Sequence, residues 1–216
     1  MQRNGVVTAK RWWIEQCWQE SLSTKLGFDD QVAKDATARL LRFVSGRTGI
    51  FEERSLDLYA FSHRTLQEFF AAVGLTNEAD NDKHTDLETL VRPYLFHPEW
   101  DETIRLVTAR ITPPRAERLV RLMLDDPDPS GRFLHRGPLL AMRCLLDGST
   151  IANRHVVDQL FRSMDRLGAS RWLGITMKCL DTLHQFDDSR YANHARQAIV
   201  RIIEDRKSTR LNSVTG

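Results

Sequence analysis

Few residues in this sequence have the types and spacing that chemistry requires. The seven histidines do not form the H-E-x-x-H spacing or another ligand pattern that would predict a metal site. The three cysteines lie far apart without a C-x-x-C pair, which favours reduced thiols over a disulfide framework or a zinc site. The residues are His63, His84, His97, His135, His155, His184 and His194, with Cys17, Cys144 and Cys179.

Two motifs of enzymes are missing from the sequence. It contains no G-x-S-x-G nucleophile elbow, and it contains no G-x-x-x-x-G-K-[ST] phosphate loop followed by a strand that ends in paired acids. We therefore predict no catalytic residue, no metal ligand and no hydrolysis of ATP by this chain alone.

The segment F-S-H-R-T-L-Q-E-F-F-A-A, residues 61–72, holds the most informative polar groups. The spacing of Thr65 and Glu68 predicts a capping box at a helix start. We expect Gln67 and Glu68 to serve in that box or in hydrogen bonds between domains, rather than in catalysis. Phe69 and Phe70 are predicted to lie in a core or at a domain interface. Considered without other information, His63 is a hydrogen-bonding residue at a helix start.

Composition and charge exclude several classes of protein. Hydrophobic residues make up 41% of the 216 and charged residues 28%, so the chain can bury a core. A formal charge of +2 is too small to indicate nucleic acid or an anionic membrane as a partner. No apolar run approaches the roughly 20 residues of a membrane span, and no secretory signal is visible. These features predict a cytoplasmic protein that does not contact a membrane.

The first part of the chain predicts a helix, a small hairpin and a second helix. Apolar residues recur at helical spacing over 30–45, with Asp29 or Asp30 as N-cap. The short gap between G-I-F-E-E-R and L-Y-A-F predicts a β-hairpin, and 62–75 again has helical spacing. This order is typical of the end of a winged-helix domain, which we place at 1–76 with its N-terminal part missing.

From residue 85 onward the sequence predicts successive helices. The last six fall into three pairs whose starts are about 35 residues apart, a spacing typical of HEAT or TPR helical-hairpin solenoids. The fold class is therefore mainly α: a winged-helix remnant followed by a helical-repeat region over 77–205. The predicted helices are 85–97, 99–111, 114–125, 136–147, 153–167, 170–186 and 190–205, separated by breakers such as the Pro-rich 127–131.

Arginines are numerous on the helices between 99 and 147. They alternate with Asp and Glu, a pattern typical of a solvated face. Repeat arrays also present extended ligand-binding surfaces, and the sequence does not locate one here. The arginines are Arg105, Arg110, Arg115, Arg118, Arg121, Arg132, Arg136 and Arg143.

The last eleven residues, R-K-S-T-R-L-N-S-V-T-G, fit neither a helical nor a strand period. The run 206–213 resembles a translated sequencing adapter, which predicts that 206–216 is an artefact of sequence assembly. An ordinary disordered basic tail is the alternative.

Residues 40–75 resemble the end of the winged-helix domain in NACHT-type STAND NTPases. The resemblance is carried by an R-x-G-hydrophobic turn and by the F-x-H-x-T-hydrophobic-Q-E-aromatic pattern. The helix that opens the C-terminal region of such proteins often contains a tryptophan, which Trp100 matches. The matching positions are Arg47, Gly49, Ile50, Phe61, His63, Thr65, Leu66, Gln67, Glu68, Phe69, Phe70, Ala71 and Ala72.

The resemblance implies a part of a nucleotide-gated signalling ATPase, with a role in defence or stress sensing. It implies that His63 contacts a phosphate of ADP bound to an upstream domain of the same protein. ATP or ADP with Mg²⁺ would bind that upstream domain, not this chain alone. It also implies homo-oligomers on activation and a helical region that senses or binds another protein. Arg47 could meet phosphate, although pairing with Glu52 or Glu53 fits a turn arginine better.

Two other functions remain open from the sequence. The chain could be a non-enzymatic helical-repeat scaffold that binds another protein. A winged helix could also bind DNA, and the helix 64–75 would then enter the major groove. That helix offers almost no Arg, Lys, Asn or Gln for base edges, so we predict no DNA partner.

Overall fold

The computed structural model describes residues 1–82, 85–125, 136–170 and 172–214, with side chains through 207. These residues divide into two compact units, Met1–Ala71 and Ala72–Gly216. The first boundary lies inside a helix, slightly before the predicted boundary at 76. His84, Arg132, His135 and the Pro-rich 127–131 lie outside the described residues.

The first unit has the element order of a winged-helix domain. A short strand precedes two helices, a hairpin follows them, and the start of a third helix closes the unit. The three strands form one antiparallel sheet in the order β1-β3-β2. The elements are β1 (Thr8–Lys10), α1 (Arg11–Leu26), α2 (Asp30–Gly46), β2 (Phe51–Ser55), β3 (Leu58–Phe61) and α3 (Arg64–Asn81), after a 3₁₀ turn at Gln2–Asn4.

A three-residue turn joins α1 to α2 as a helix-turn-helix. Gly27 ends α1 with φ +69°; its N–H donates to the Ser23 carbonyl, and the Phe28 N–H donates to the Leu22 carbonyl. Asp29 then begins α2, because its carboxylate accepts from the Gln31 N–H at 2.9 Å. A glycine C-cap followed by an aspartate N-cap within three residues fixes where the chain turns between the helices.

Two hydrogen bonds hold the turn of the hairpin. The Glu53 carboxylate accepts from the Asp57 N–H at 2.9 Å, and Asp57 adopts the left-handed region at φ 56°. The Asp57 carbonyl in turn accepts from the N–H of Arg11, the first residue of α1. Residue Glu53 therefore shapes the turn, and the turn touches the start of the first long helix.

The core of the first unit is small and aromatic. Trp13 and Trp18 pack against it, whereas Trp12 stays exposed. The Phe51 ring contacts the Phe61 ring edge-on, with centroids 4.5 Å apart. The buried members are Ala9, Ile14, Leu41, Phe51 and Tyr59.

The second unit is helical throughout its described residues. The predicted helix 85–97 is wrong as one element: a five-residue helix ends at Val91, and a 3₁₀ turn with Pro93 follows, since proline cannot continue α-helical hydrogen bonds. The elements after α3 are α4 (Leu87–Val91), 3₁₀ turns Arg92–Tyr94 and Pro98–Trp100, α5 (Asp101–Arg110), α6 (Pro113–Asp125), α7 (Arg136–Leu146), α8 (Arg154–Gly168), α9 (Leu173–His184) and α10 (Ala192–Val214).

Helices of the second unit pack mainly on their neighbours in sequence. Helix α7 contacts α5, α6, α8 and α9, and α8 contacts α9 and α10. One continuous core links these helices and includes Trp100, Phe161 and Phe186. The mainly helical fold with a winged-helix domain is therefore confirmed, and the HEAT or TPR type of the repeats stays a prediction.

The C-terminal segment differs from its sequence prediction. Helix α10 continues through Val214, although no regular structure was expected from residue 206. Ser, Thr and Asn are weak helix formers but not breakers, and no Gly or Pro interrupts the run before residue 216. Arg206 donates to the carbonyl of Ser170 at 3.2 Å and to the Thr176 hydroxyl at 2.5 Å. The origin of 206–216 in a sequencing adapter stays a prediction.

Candidate functional site

His63 lies at the junction of the hairpin and the helix α3. It immediately precedes Arg64, the first residue of α3, and its carbonyl accepts from the Leu66 N–H at 3.1 Å. The preceding residue is fixed to the other strand of the hairpin, since the Ser62 N–H donates to the Ile50 carbonyl at 3.0 Å. The His63 side chain is exposed and forms no hydrogen bond or ion pair with a described residue. The backbone is thus held while the imidazole points to solvent.

The surroundings of His63 favour an anion. A helix start carries a partial positive charge and unpaired N–H groups. Arg64 adds an exposed guanidinium, which also donates to Glu68 at 2.9 Å. On the other side, Arg54 donates to the Ser62 carbonyl at 3.4 Å. One imidazole, a helix start and two arginines therefore come together at this end of the hairpin, with Arg54 paired to Glu52 and Arg64 to Glu68.

Gln67 ties the N-terminal segment to α3. Its side chain is 7% exposed, and its amide donates to the Gln2 side chain at 2.8 Å and to the Val6 carbonyl at 3.2 Å. The two bonds lie within the first unit and are not the predicted capping, whereas the expectation of hydrogen bonds between domains stays a prediction. Sequence reasoning missed this role because the partners lie more than sixty residues earlier in the chain.

Thr65 and Glu68 do not form the predicted capping box in the described structure. The Glu68 carboxylate, only 9% exposed, pairs with Arg64 instead of turning back to the helix start. An i,i+4 pair on one helix face competes directly with the capping geometry, and the buried carboxylate gains a charge-assisted bond. The motif glutamate therefore orients Arg64 beside His63.

Phe69 and Phe70 lie at the surface and not in the buried core of the first unit. Phe70 is 43% exposed and stacks on Phe61 at 5.7 Å between ring centroids. Phe69 meets Phe70 edge-on at 5.5 Å. The placement in a core is wrong for these two residues, and the alternative, a domain interface, stays a prediction.

Arg47 does not pair with either predicted glutamate. Glu52 pairs with Arg54 at 3.1 Å, and Glu53 accepts the Asp57 N–H in the hairpin turn. Arg47 ends α2, its N–H bonded to the Phe43 carbonyl, with an exposed side chain. Each glutamate of β2 therefore has a partner other than Arg47, which the spacing in the sequence did not reveal.

From the sequence, 64–75 is the helix that would enter a DNA groove. The fold would place a different helix there. In a helix-turn-helix the second helix is the recognition helix, and here that is α2, before the hairpin, rather than 64–75. Helix α2 exposes Lys34, Arg39 and Arg42, but also Val32 and Phe43, on its surface. The sequence reading failed because it missed β1 and the glycine turn that define the motif.

The three cysteines are free. Burial raises the pKa of the Cys144 thiol to about 12 and that of Cys179 to about 11. Both groups therefore stay protonated at neutral pH, and neither is an activated nucleophile.

The order of strands and helices and the sequence of α3 agree with one known domain. Residues 1–75 match the winged helix-turn-helix domain C-terminal to NACHT. This similarity supports a NACHT-associated region in this part of the chain. The match covers 75 of 216 residues.

No curated protein and no solved structure is significantly similar to the chain. Within the described residues, none of the helices combines the length and the apolar character needed to cross a membrane.

Proposed function

We propose that this chain is the regulatory C-terminal region of a nucleotide-gated signalling NTPase. In this proposal a NACHT domain lies upstream in the same protein and carries the phosphate loop, ATP or ADP, and Mg²⁺. The match of residues 1–75 to the domain C-terminal to NACHT is the observation that carries the proposal. The protein would act in the cytoplasm in defence or stress signalling and assemble into homo-oligomers when ATP replaces ADP.

His63 is the residue through which the winged helix would sense ADP. Three features support this role: its exposed imidazole, its place at the start of α3, and the neighbouring Arg64 and Arg54. A histidine there can donate to a phosphate oxygen and adds charge when protonated. The winged helix would then bind the ADP-loaded domain more tightly than the ATP-loaded one, which is the differential contact that a switch requires.

The test uses the full-length protein with its upstream NACHT domain. ADP affinity is measured by titration with a fluorescent ADP analogue for wild type, His63→Ala and the control His155→Ala. His155 is an exposed histidine on α8, and its described hydrogen bond is made by its backbone N–H. His155→Ala therefore removes an exposed imidazole without removing that bond. We expect His63→Ala to weaken ADP binding by about 5- to 150-fold, the usual range of coupling between sites.

Equal ADP affinity in wild type and His63→Ala would remove His63 from the switch. An equal loss in both alanine variants would point to a general effect of losing a histidine and would likewise contradict a specific role.

The helical second unit would serve as the sensor or protein-binding region. A non-enzymatic scaffold that binds another protein remains the alternative function for the whole chain. It predicts a protein without an upstream phosphate loop, and isolation of the complete coding sequence distinguishes the two.

A further inference from the structure

A small basic groove lies in the second unit where three alternate helices meet. Helix α7 contacts α5 on one side and α9 on the other. The groove has a volume of about 200 Å³. Its polar lining residues are Asp101 on α5, Arg136 and Arg143 on α7, and Lys178 on α9, with Leu139 and Leu140 on the same lining.

Positive charge exceeds negative charge in this groove. Asp101 is the only carboxylate among its described lining residues, and it lies 3.4 Å from Arg143. Arg136 donates to the carbonyl of Phe96 and forms no ion pair with a described residue. Lys178 is exposed and forms no ion pair with a described residue. Three cations therefore share one carboxylate.

The neighbouring arginine differs in this respect. Arg105 is held by both carboxylate oxygens of Asp147, at 2.5 and 2.7 Å, and by Glu102 at 2.7 Å. Its charge is fully compensated, as expected for a solvated face with alternating charges. The contrast separates the groove arginines from the others on these helices.

Asp101 is a partly buried carboxyl beside these cations. Burial raises the pKa of this carboxyl above its ordinary value, and Arg143 opposes the rise. A carboxylate supplied by a ligand would share the same cations from the solvent side. Asp101 would then compete with that ligand for Arg143.

The size and lining of the groove select the class of ligand. Its volume is below the roughly 300–1,000 Å³ of pockets that hold small molecules such as nucleotides. Arg136 and Arg143 are two helical turns apart, about 10.5 Å along the axis of α7. An extended peptide covers that distance in about three residues. Leu139 and Leu140, which also line the groove, are 6% and 3% exposed, so charge and not apolar surface carries the recognition.

We propose that this groove binds an acidic peptide segment of a partner protein, whose carboxylates pair with Arg136, Arg143 and Lys178. The inference rests on the proposed role of the second unit as a protein-binding region and does not involve His63. If this inference fails, the proposed nucleotide switch is unaffected, because the experiment below does not test it.

The experiment uses fluorescence polarisation with the full 216-residue chain. The probe is a short labelled peptide of alternating glutamate and leucine, compared with a peptide in which glutamine replaces every glutamate. We expect only the glutamate peptide to bind, and to bind more weakly as salt rises. Lys178→Gln should weaken binding about two- to fivefold, and Lys178→Gln with Arg143→Gln roughly tenfold.

Two further variants separate the groove from general charge. Arg154→Gln with Arg166→Gln removes the same two charges from the exposed surface of α8 and should leave binding unchanged. Asp101→Asn removes the internal competitor and should tighten binding about two- to fivefold, the opposite direction from damage to the fold. Thermal unfolding of each variant is measured alongside, and Lys178→Gln alone changes no described contact of the core.

Three results would overturn the proposal. They are equal binding of the glutamine peptide, an equal loss in the α8 control, and displacement of the peptide by an equal concentration of inorganic pyrophosphate. The last would show that the groove takes small anions instead of a peptide.

Discussion

The two units differ in how many of their large apolar side chains are exposed. Of the sixteen large hydrophobic residues that are exposed among those described, eleven lie in Met1–Ala71 and five in Ala72–Gly216. The first unit is the smaller one, yet it leaves Trp12, Phe28 and Phe43 open to solvent while its buried core is five residues. The second unit places Phe161, Phe186 and Met142 in a continuous core.

This difference indicates that the first unit depends more than the second on a partner that covers its apolar surface. Apolar surface of this density on a small domain is typical of a surface that another protein or domain covers. The second unit buries most of its large apolar residues in one core and presents charge at its groove. The proposed function agrees with this division, since a winged helix that docks on a NACHT domain needs an apolar contact surface.

The sharpest test of the comparison exchanges one phenylalanine in each unit for alanine. Phe161 is 2% exposed and contacts the rings of Phe186 and His194, so Phe161→Ala should cost about 3–5 kcal/mol of unfolding free energy. Phe43 is 51% exposed, so Phe43→Ala should cost less than about 0.5 kcal/mol. Urea denaturation of both variants measures the difference. Similar losses in the two variants would contradict the contrast between the units.

A pair of glycines tests how tightly each unit is packed. A Cβ at Gly137 would come 1.9 Å from the backbone carbonyl oxygen of Met123, and a Cβ at Gly46 would meet nothing within 4 Å. We expect Gly137→Ala to destabilise the second unit by about 2–3 kcal/mol, because backbone must move. Gly46→Ala in the first unit should be neutral or stabilising by up to about 1 kcal/mol. If thermal unfolding shows Gly137→Ala to be harmless, the packing of α7 on α6 is wrong.

Gln67 tests whether the first unit depends on a polar tie instead of a large core. Gln67→Ala removes two hydrogen bonds and leaves the Val6 carbonyl without this donor, which should cost about 1–2 kcal/mol. Hydrogen exchange should then accelerate in residues 2–8 more than in α8. Thr65→Ala, at an exposed position on the same helix, is the control and should not change exchange there. Unchanged exchange in Gln67→Ala would show that the N-terminal segment is held by other contacts.

The smallest predicted effect is a pH dependence at Asp101. Its pKa is raised in the folded state, so the folded protein binds this proton more tightly than the unfolded chain does. The carboxyl therefore lowers stability as pH rises from its unfolded pKa through its folded pKa. Asp101→Asn removes this term, so the variant should gain stability relative to wild type between acidic and neutral pH. A stability difference that is constant over that range, measured by urea denaturation, would contradict the raised pKa.

Sequence patterns predicted those elements whose signal is local. The N-cap at Asp29 or Asp30, the hairpin before α3 and the apolar spacing of α5 through α9 are carried by neighbouring residues; the structure has these elements, with Asp29 as the cap. The strand β1 is three residues long, and only pairing with β3 reveals it. The prediction of one helix over 85–97 was wrong because it followed the apolar spacing and did not treat Pro93 as a break.

The candidate site was predicted in its location but not in its contacts. The F-x-H pattern correctly marked the junction of β3 and α3. The partners of Gln67 were not predictable because they lie more than sixty residues earlier in the chain, and those of Glu52 and Glu53 because they depend on the geometry of the hairpin. The basic groove was equally hidden, since Asp101 and Lys178 meet only through the packing of α5, α7 and α9.

The most direct measurement of the central claim is hydrogen exchange in the full-length protein with its upstream NACHT domain, loaded with ADP or with a non-hydrolysable ATP analogue. The claim is that the winged helix docks on the ADP-bound domain through the start of α3. It predicts slower exchange at residues 62–68 with ADP than with the ATP analogue, and loss of that difference in His63→Ala. Identical exchange of these residues in both nucleotide states would contradict a nucleotide-gated winged helix.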